Sequence, residues 1–342
     1  MTNPMGEPVE PRRKRRGDKH AVVPDAEFRS YYGRPIVKPA PWGHEIAQYL
    51  FLGGLAAGSG LVAACAHLTG RPTLRRRARF GALASVALGG AALVADLGRP
   101  ERALNMMRTA KLTSPMSVGS WILAGFGTFA GAAAAVEVAR PLLGGGVLGR
   151  VARAADPLAS AGSAFFAPPL AAYTAVLLSD TATPLWHESH RELPFIFVAS
   201  GTAAGCGLSM VTSPSSETAP VRALAAVAAA SELVGDKLLE RRLGEEGQPL
   251  KEGVAHRWHT AARVLTAAGG IGALVAGRSR VLGMASGAAL MAGSYCTRMA
   301  IFEAGEVSTL DPIYTVRPQR RRAAAKETAG EGVTQPGGDW PT

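Results

Sequence analysis

Apolar residues of this chain gather into eight long windows, which polar stretches separate. The windows are 19 to 25 residues long, and together they hold 13 of the 63 charged residues. A helix of about 20 residues crosses a hydrocarbon layer of roughly 30 Å and satisfies its own backbone hydrogen bonds there. The pattern therefore predicts an all-α fold, a polytopic membrane bundle of eight transmembrane helices. The predicted spans are 44–68, 79–97, 116–139, 157–179, 192–212, 219–240, 258–277 and 281–303.

The two ends of the chain differ from this apolar middle. Both tails are rich in Pro, Gly, Arg and Glu, a composition that is typical of disorder. No secretory signal is expected, because the basic run Arg12–Arg16 is followed by neither a short apolar stretch nor a cleavage site. The sequence predicts a disordered basic tail over 1–40, a membrane domain over 41–312 and a disordered tail over 313–342.

Composition and charge support the same class of protein. Apolar residues make up 47% of the chain and charged residues only 18%, below the roughly 25% of soluble proteins. The net charge of +11 is high enough to raise the question of nucleic acid. Because the basic run lies beside a membrane domain, anionic membrane lipid is the expected partner and nucleic acid is not.

The distribution of Lys and Arg predicts the orientation. Eight spans place both termini on one side, and that side carries 23 Lys and Arg against 11 on the other. The positive-inside rule then places the termini in the cytoplasm. One stretch conflicts with this assignment, because the first loop on the opposite side carries five arginines between Arg71 and Arg79.

Cysteines and histidines restrict the redox chemistry that this chain performs alone. Cys65, Cys206 and Cys296 lie singly in three spans, a spacing that fits neither an iron–sulfur cluster nor zinc. No histidine lies at the middle of a span. Haem ligation by His44 with His187 or His259 stays open as an unfavoured alternative. The sequence predicts no metal, haem or iron–sulfur cluster in this chain.

Ionisable residues inside predicted spans are costly and tend to mark function. They gather toward the end of the bundle at which the first span begins, whereas the opposite half offers little beyond Glu137 and His67. Glu232 is expected to pair with Arg263 and Arg298 in a buried cluster that carries protons. The alternative is that Glu232, Asp236 and Lys237 snorkel toward the nearby helix end or pair locally, since Glu232 and Asp236 share a face of the helix.

Three ordered motifs resemble the NrfD/PsrC family, the membrane subunits of polysulfide reductase-like and nitrite reductase-like complexes. They are YLFLGGLAAG at 49–58, DLGRPER at 96–102 and SPMSVGSW at 114–121. The stretches 173–187 and 298–312 look like later landmarks of the family. The resemblance covers roughly residues 42–312 and agrees with the eight-span count.

The resemblance implies a subunit that reacts with menaquinone or ubiquinone and binds a four-cluster iron–sulfur subunit, which in turn serves a molybdopterin-type catalytic subunit. It also implies site residues in this sequence. Quinone contacts are expected at His44, Tyr173, Asp96, Ser114 and Met116. The proton path is expected at Glu232, Arg263 and Arg298, and partner docking at Arg99, Arg102, Arg108 and Lys111.

The expected function is therefore electron exchange between the quinone pool and an iron–sulfur partner. Proton transfer can accompany this exchange. The subunit has no catalytic centre of its own. The complex would resemble polysulfide reductase or formate dehydrogenase. Richness in Ala, Gly and Arg indicates a bacterial source and hence the bacterial inner membrane. The alternatives are a secondary transporter or proton-conducting protein, for which no inverted repeat is visible, and an inert anchor.

Overall fold

The computed structural model describes residues 35–40, 42–96, 100–143 and 146–328. Within these ranges, the structure describes the backbone but not the side chains of residues 100, 102–104, 143, 148, 278, 327 and 328. All regular elements in the described part are helices, as the hydrophobic pattern predicts. This confirms the all-α class.

Eight helices of 20 to 33 residues form the body of the fold, and each overlaps one predicted span. Helices are numbered here in chain order, the short ones included. Two shorter helices, α5 (Pro184–Glu188) and α10 (Ile313–Thr328), and three 3-10 helices (Pro100–Arg108, Gly244–Lys251 and Ala276–Arg278) complete the described part. The long helices are α1 (His44–Leu68), α2 (Pro72–Asp96), α3 (Pro115–Leu143), α4 (Val147–Ser179), α6 (Leu193–Thr212), α7 (Ala219–Leu243), α8 (Gly253–Val275) and α9 (Arg280–Leu310).

Five of the long helices, α1 to α4 and α6, are long and apolar enough to cross a membrane. Helices α7, α8 and α9 have the length for a span but are not apolar enough to count among these five, and they carry Glu232, Arg263 and Arg298 within their sequences. The count of eight spans therefore stays a prediction for these three helices.

The connections between successive long helices vary from 3 to 18 residues. Contacts such as Arg79–Glu137 and Arg242–Glu192 bring the start of one helix to the end of its neighbour, so neighbours in the chain run antiparallel. The N-terminal end of α1 and the C-terminal end of α2 thus lie at one end of the bundle, here called the His44 end. The opposite end, where α1 ends and α2 begins, is called the Arg75 end. Helices α1–α4 form one group of four and α6–α9 a second group, and α1 and α6 contact each other directly.

Glycines allow the backbones of α1 and α6 to touch. A Cβ atom added to Gly58 would lie 2.1 Å from the carbonyl oxygen of Gly201, and one added to Gly205 would lie 2.2 Å from the carbonyl carbon of Gly58. Small residues at a spacing of four are the usual means of close helix approach in membranes. This contact joins the two groups of helices.

The C-terminal segment differs from the sequence prediction of a disordered tail over 313–342. Residues Ile313–Thr328 form α10, and ion pairs from Arg317 and Arg321 to Glu245 and Glu246 offset the repulsion within its basic run. The remainder of this tail and most of the N-terminal tail lie outside the described residues.

The α1–α6 contact predicts that an added methyl group destabilises the protein at one glycine of α1 and is tolerated at another. Gly58→Ala should lower the stability by about 1–3 kcal/mol, because its methyl group meets backbone that cannot move cheaply. Gly53→Ala, five residues earlier in the same helix, meets nothing within 4 Å and should be tolerated. Melting temperatures in mild detergent measure both changes. Equal melting temperatures for the two variants would contradict the close contact.

Candidate functional site

His44 and Glu303 form a polar pair at the His44 end. His44 is the first residue of α1, and Glu303 lies two turns before the end of α9. The Nε2 atom of His44 is 2.9 Å from Oε1 of Glu303. The His44 side chain is 63% exposed and that of Glu303 is 20% exposed. An imidazole that is held by a carboxylate and open to its surroundings can accept and release protons near neutral pH.

Aromatic rings surround this pair on its inner side. Trp186 of α5 is fully buried, and its Nε1 donates a hydrogen bond of 2.7 Å to the backbone oxygen of Ile301. Its ring stacks on Trp42 at a centroid distance of 5.8 Å and lies 5.7 Å from Phe302, whose ring is 6.2 Å from that of His44. Trp186 and Phe302 are buried, so these rings pack behind the pair and leave the His44 imidazole as its exposed group.

The other predicted quinone contacts lie toward the same end but have different neighbours. Tyr173 of α4 packs against α3, where a Cβ atom added to Gly119 would lie 2.2 Å from its ring. Asp96 is the last residue of α2, while Ser114 and Met116 flank the first residue of α3. The predicted set thus divides into a His44 part beside α9 and a part on α2–α4.

The predicted docking residues are described only in part. Arg108 ends the 3-10 helix Pro100–Arg108, and Lys111 follows in the connection to α3. Both side chains are exposed, and the backbone nitrogen of Lys111 donates to Oγ of Ser117. Arg99 and the side chain of Arg102 lie outside the described residues.

An ionic network joins α7 to α8, deeper than His44. Asp236 accepts from His259 Nε2 at 2.7 Å and from Arg263 Nε at 2.5 Å. A second nitrogen of Arg263 lies 2.5 Å from Oε2 of Glu240. His259 is buried, whereas Arg263 and Glu240 are partly exposed. The network thus extends from partly exposed groups to a buried imidazole.

Glu232 lies one turn further from the His44 end and is buried. Its Oε1 accepts a hydrogen bond of 2.7 Å from the hydroxyl group of Thr297, while its Oε2 has no hydrogen-bond partner in the described part of the chain. A cavity of about 20 Å³ adjoins this carboxyl group, large enough for one water molecule. Its lining includes Glu232, Asp236, His259, Thr266 and Thr297.

Arg298 occupies the centre of the fold and is fully buried. It donates to the backbone oxygen of Phe197 at 2.9 Å and to Oγ of Ser294 at 3.3 Å, and its guanidinium lies 4.3 Å from the centroid of the Phe197 ring. These contacts hold α9 against α6. Among the described residues, no ion pair within 4.0 Å joins Glu232 to Arg298 or Arg263. The expected pairing of Glu232 with both arginines is thus not seen, since Asp236 and Glu240 lie closer to Arg263.

A second ionic network lies at the Arg75 end, where the sequence indicated little polarity. Arg79 of α2 lies 2.9 Å from Glu137 of α3 and 2.6 Å from Asp156 of α4, and all three are buried. Arg75 pairs with Glu137 at 2.6 Å, and Arg140 pairs with Asp156. The network binds three helices of the first group to one another.

This network was missed because two predicted spans start too late. The windows began at residues 79 and 157, whereas α2 begins at Pro72 and α4 at Val147. Asp156 was therefore counted as a loop residue and Arg79 as the border of a loop. The signal was present in the spacing of four between Arg75 and Arg79, which places both side chains on one face of a helix. Glu137 of α3 and Asp156 of α4 are the carboxylates that pair with this face.

Comparison with known proteins identifies a family. A family model described as polysulphide reductase, NrfD, matches residues 36–217, which is more than half of the chain. The match confirms the resemblance that the motifs predicted, and it includes the three motifs at 49–58, 96–102 and 114–121. Helices α7 to α9 lie beyond the matched residues. No curated protein matches the chain.

The Arg75-end network predicts a large loss of stability when its central cation is removed. Arg79→Met leaves Glu137 and Asp156 short of a buried partner, a change that typically costs about 3–5 kcal/mol. Arg76→Met, on the exposed side of the same helix, is the matched control and should change stability little. Thermal unfolding in detergent compares the two. A normal melting temperature for the Arg79 variant would show that the network does not stabilise the bundle.

Proposed function

This chain belongs to the NrfD family, and from that premise we propose that it is a multi-pass membrane subunit which exchanges electrons between the quinone pool and a partner iron–sulfur subunit. The partner would relay electrons to or from a molybdopterin-type catalytic subunit, as in polysulfide reductase or formate dehydrogenase-like complexes. Two observations support the membrane part of this proposal. One is the family match, and the other is that five helices have the length and composition of spans.

The observation that carries the proposal is the His44–Glu303 pair beside Trp186 and Phe302. A quinol releases two protons and two electrons when it is oxidised, so its site needs a proton acceptor and room for a flat ring. The exposed imidazole of His44 is suited to accept a proton from such a head group. Glu303 orients the ring and stabilises the imidazolium that results.

The remaining contacts to the quinone are proposed on the neighbouring helices. Tyr173 would donate a hydrogen bond to a quinone oxygen, and Asp96, Ser114 and Met116 would border the head group. Support comes from their location, because Tyr173, Asp96 and Met116 lie in the half of their helices nearest the His44 end and Ser114 directly precedes α3. The contact with Gly119 fixes the ring of Tyr173 in place, so the hydroxyl group is the part of this side chain that would contact the quinone.

We propose that protons move between the His44 end and Glu232 through α7 and α8. The path would comprise Glu232 and Arg263, with Arg298 lying beside it, and the ionic network favours Asp236 and His259 as further members. His259 contributes an imidazole, a group that can both donate and accept a proton. The cavity beside Glu232 supports a water-mediated connection to Asp236.

The docking surface is proposed on the connection between α2 and α3. Arg99, Arg102, Arg108 and Lys111 give this connection a positive charge that suits an acidic iron–sulfur partner. Electrons would then cross between two chains at the His44 end, where the polar pair lies. Quinone, either menaquinone or ubiquinone, would be a transient substrate of this chain.

The proposed orientation has both termini in the cytoplasm of a bacterial inner membrane. The five arginines between Arg71 and Arg79 argued against it on sequence alone. In the fold, Arg75 and Arg79 lie inside α2 and pair with Glu137 and Asp156. The proposed orientation therefore rests on the other loops and the tails, whose Lys and Arg lie mostly on the side of the termini. The iron–sulfur partner would then lie on the cytoplasmic side.

A secondary transporter or proton-conducting protein is the alternative, and the buried ionic networks are what favour it. The two functions differ in their dependence on quinone. An inhibitor that occupies the quinone site should stop electron flow in the proposed function and leave transport untouched in the alternative.

His44→Ala should lower quinol-driven electron transfer by about 100-fold or more, because the proton acceptor is lost. His190→Ala is the matched control, since His190 is an exposed histidine that is not bonded to Glu303. Turnover of the purified complex with a soluble quinol analogue measures both, with subunit composition checked by gel. Unchanged turnover in the His44 variant would remove this residue from the mechanism.

Asp236→Asn should slow turnover by about tenfold, because the amide releases His259 and Arg263 from their charged partner. A larger solvent deuterium isotope effect should accompany the slower rate, as expected when proton transfer becomes limiting. Glu252→Gln, an exposed residue just before α8, is the control. If the Asp236 variant keeps both the rate and the isotope effect of the parent, no proton path passes through α7 and α8.

A further inference from the structure

Helix α10 carries a dense positive charge directly after the last long helix. Helix α9 ends at Leu310 and α10 begins at Ile313. Ten residues of α10 hold five cations and no carboxylate. The cations are Arg317, Arg320, Arg321, Arg322 and Lys326.

Three of these arginines contact an acidic patch, defined here as Glu188 of α5 with Glu245 and Glu246 of the 3-10 helix after α7. Partial burial and the neighbouring charge of Glu188 raise the pKa of Glu246, so nearby cations help to keep the patch ionised. The ion pairs are Arg317–Glu245 at 3.3 Å, Arg321–Glu245 at 3.1 Å, Arg321–Glu246 at 3.4 Å and Arg322–Glu188 at 3.1 Å.

Charge rather than close packing holds the part of α10 after the buried Pro318, where residues 319–326 are all exposed. The three paired arginine side chains remain 54–59% exposed. Exposed ion pairs contribute little each and are screened by salt. An open cavity of about 450 Å³ also lies between α10 and α5, with Asp180, His187, Tyr314 and Arg322 in its lining. Helix α10 can therefore leave the patch without breaking a hydrophobic core.

An anionic lipid surface offers the same arginines an alternative partner. Basic clusters that directly follow a membrane helix bind anionic head groups, and the attraction per residue is comparable to that of an exposed ion pair. Among the described residues, Arg320 and Lys326 form no ion pair within 4.0 Å with the patch. Of the two positions, only the one at the lipid surface would give these two cations an anionic partner.

We propose that α10 is an electrostatic strap with two positions, one on the acidic patch and one on the anionic phospholipid surface around the bundle. In the second position, Glu188, Glu245 and Glu246 are uncovered at the His44 end. The lipid composition of the membrane thus sets how much of this acidic surface is exposed. The proposal does not depend on the quinone function, because it rests only on α10, the patch and a surrounding membrane.

The test measures the distance between α10 and the 3-10 helix beneath it. The full-length protein, with Cys65 replaced by serine, receives spin labels through Ala323→Cys and Gln248→Cys. It is placed in nanodiscs of phosphatidylcholine alone or with phosphatidylglycerol, and pulsed electron paramagnetic resonance gives the distance distribution. One short distance is expected in the neutral lipid, and a second, longer distance should grow with the fraction of phosphatidylglycerol.

Two sets of variants separate the contributions of the patch and of the lipid. Glu245→Gln with Glu246→Gln weakens only the patch and should raise the longer-distance population in phosphatidylglycerol. Arg320→Gln removes a cation that does not touch the patch, and it should lower the ratio of the longer to the shorter distance by about fivefold, the contribution of one basic residue near an anionic surface.

Three results would overturn the proposal. Identical distributions in both lipids, for the parent and for the double glutamine variant, would show that lipid does not compete for α10. Full release of the double variant in neutral lipid would show that α10 detaches without lipid capture. A longer distance that appears only after a partner protein is added would assign the strap to that protein instead.

Discussion

A charged side chain inside an apolar helical bundle needs a partner on another helix, and this requirement organises the structure. Removing a charge from water costs several kcal/mol unless an opposite charge or hydrogen bonds compensate. Arg79 meets the requirement by joining α2 to α3 and α4, and Asp236 meets it by joining α7 to α8. Arg298 uses a backbone oxygen and an aromatic ring instead. Each group of four helices thus has its own ionic network, and the glycine contact between α1 and α6 joins the groups.

The two networks lie toward opposite ends of the bundle, and they differ in what they can do. Arg79, Glu137 and Asp156 are all buried, so this network mainly holds helices together. Asp236, His259 and Glu232 include an imidazole and a carboxyl oxygen that has no hydrogen-bond partner among the described residues, beside a cavity large enough for one water molecule. A network of that kind offers donor and acceptor groups for the proton transfer that we propose. It also lies on the side of the bundle where His44 and Glu303 offer an exposed polar pair, which is why the proposed function places proton and electron exchange there.

Hydrophobic pattern was sufficient for the class of fold, because every apolar window of about 20 residues became a long helix. It failed at the helix ends, where Arg79 and Asp156 lie within helices whose first turns are polar. The family resemblance came from local motifs, which is why it could be recognised without a fold. Pairing between helices could not be predicted in the same way: Glu232 and Asp236 share one face of α7, and only the packing of α8 decides that Arg263 meets Asp236. The partner of His44 was likewise hidden, since Glu303 lies 259 residues away in the sequence.

Mild-detergent purification from native membranes, followed by mass spectrometry of the proteins that remain bound, tests the central claim most directly. If this chain is the quinone-reactive subunit of an oxidoreductase, an iron–sulfur protein and a pterin-dependent catalytic chain should purify with it in constant proportion. The catalytic chain would also identify the substrate class of the complex. If the protein purifies alone, without any redox-active companion, the electron-transfer function is contradicted and the transporter becomes the better explanation.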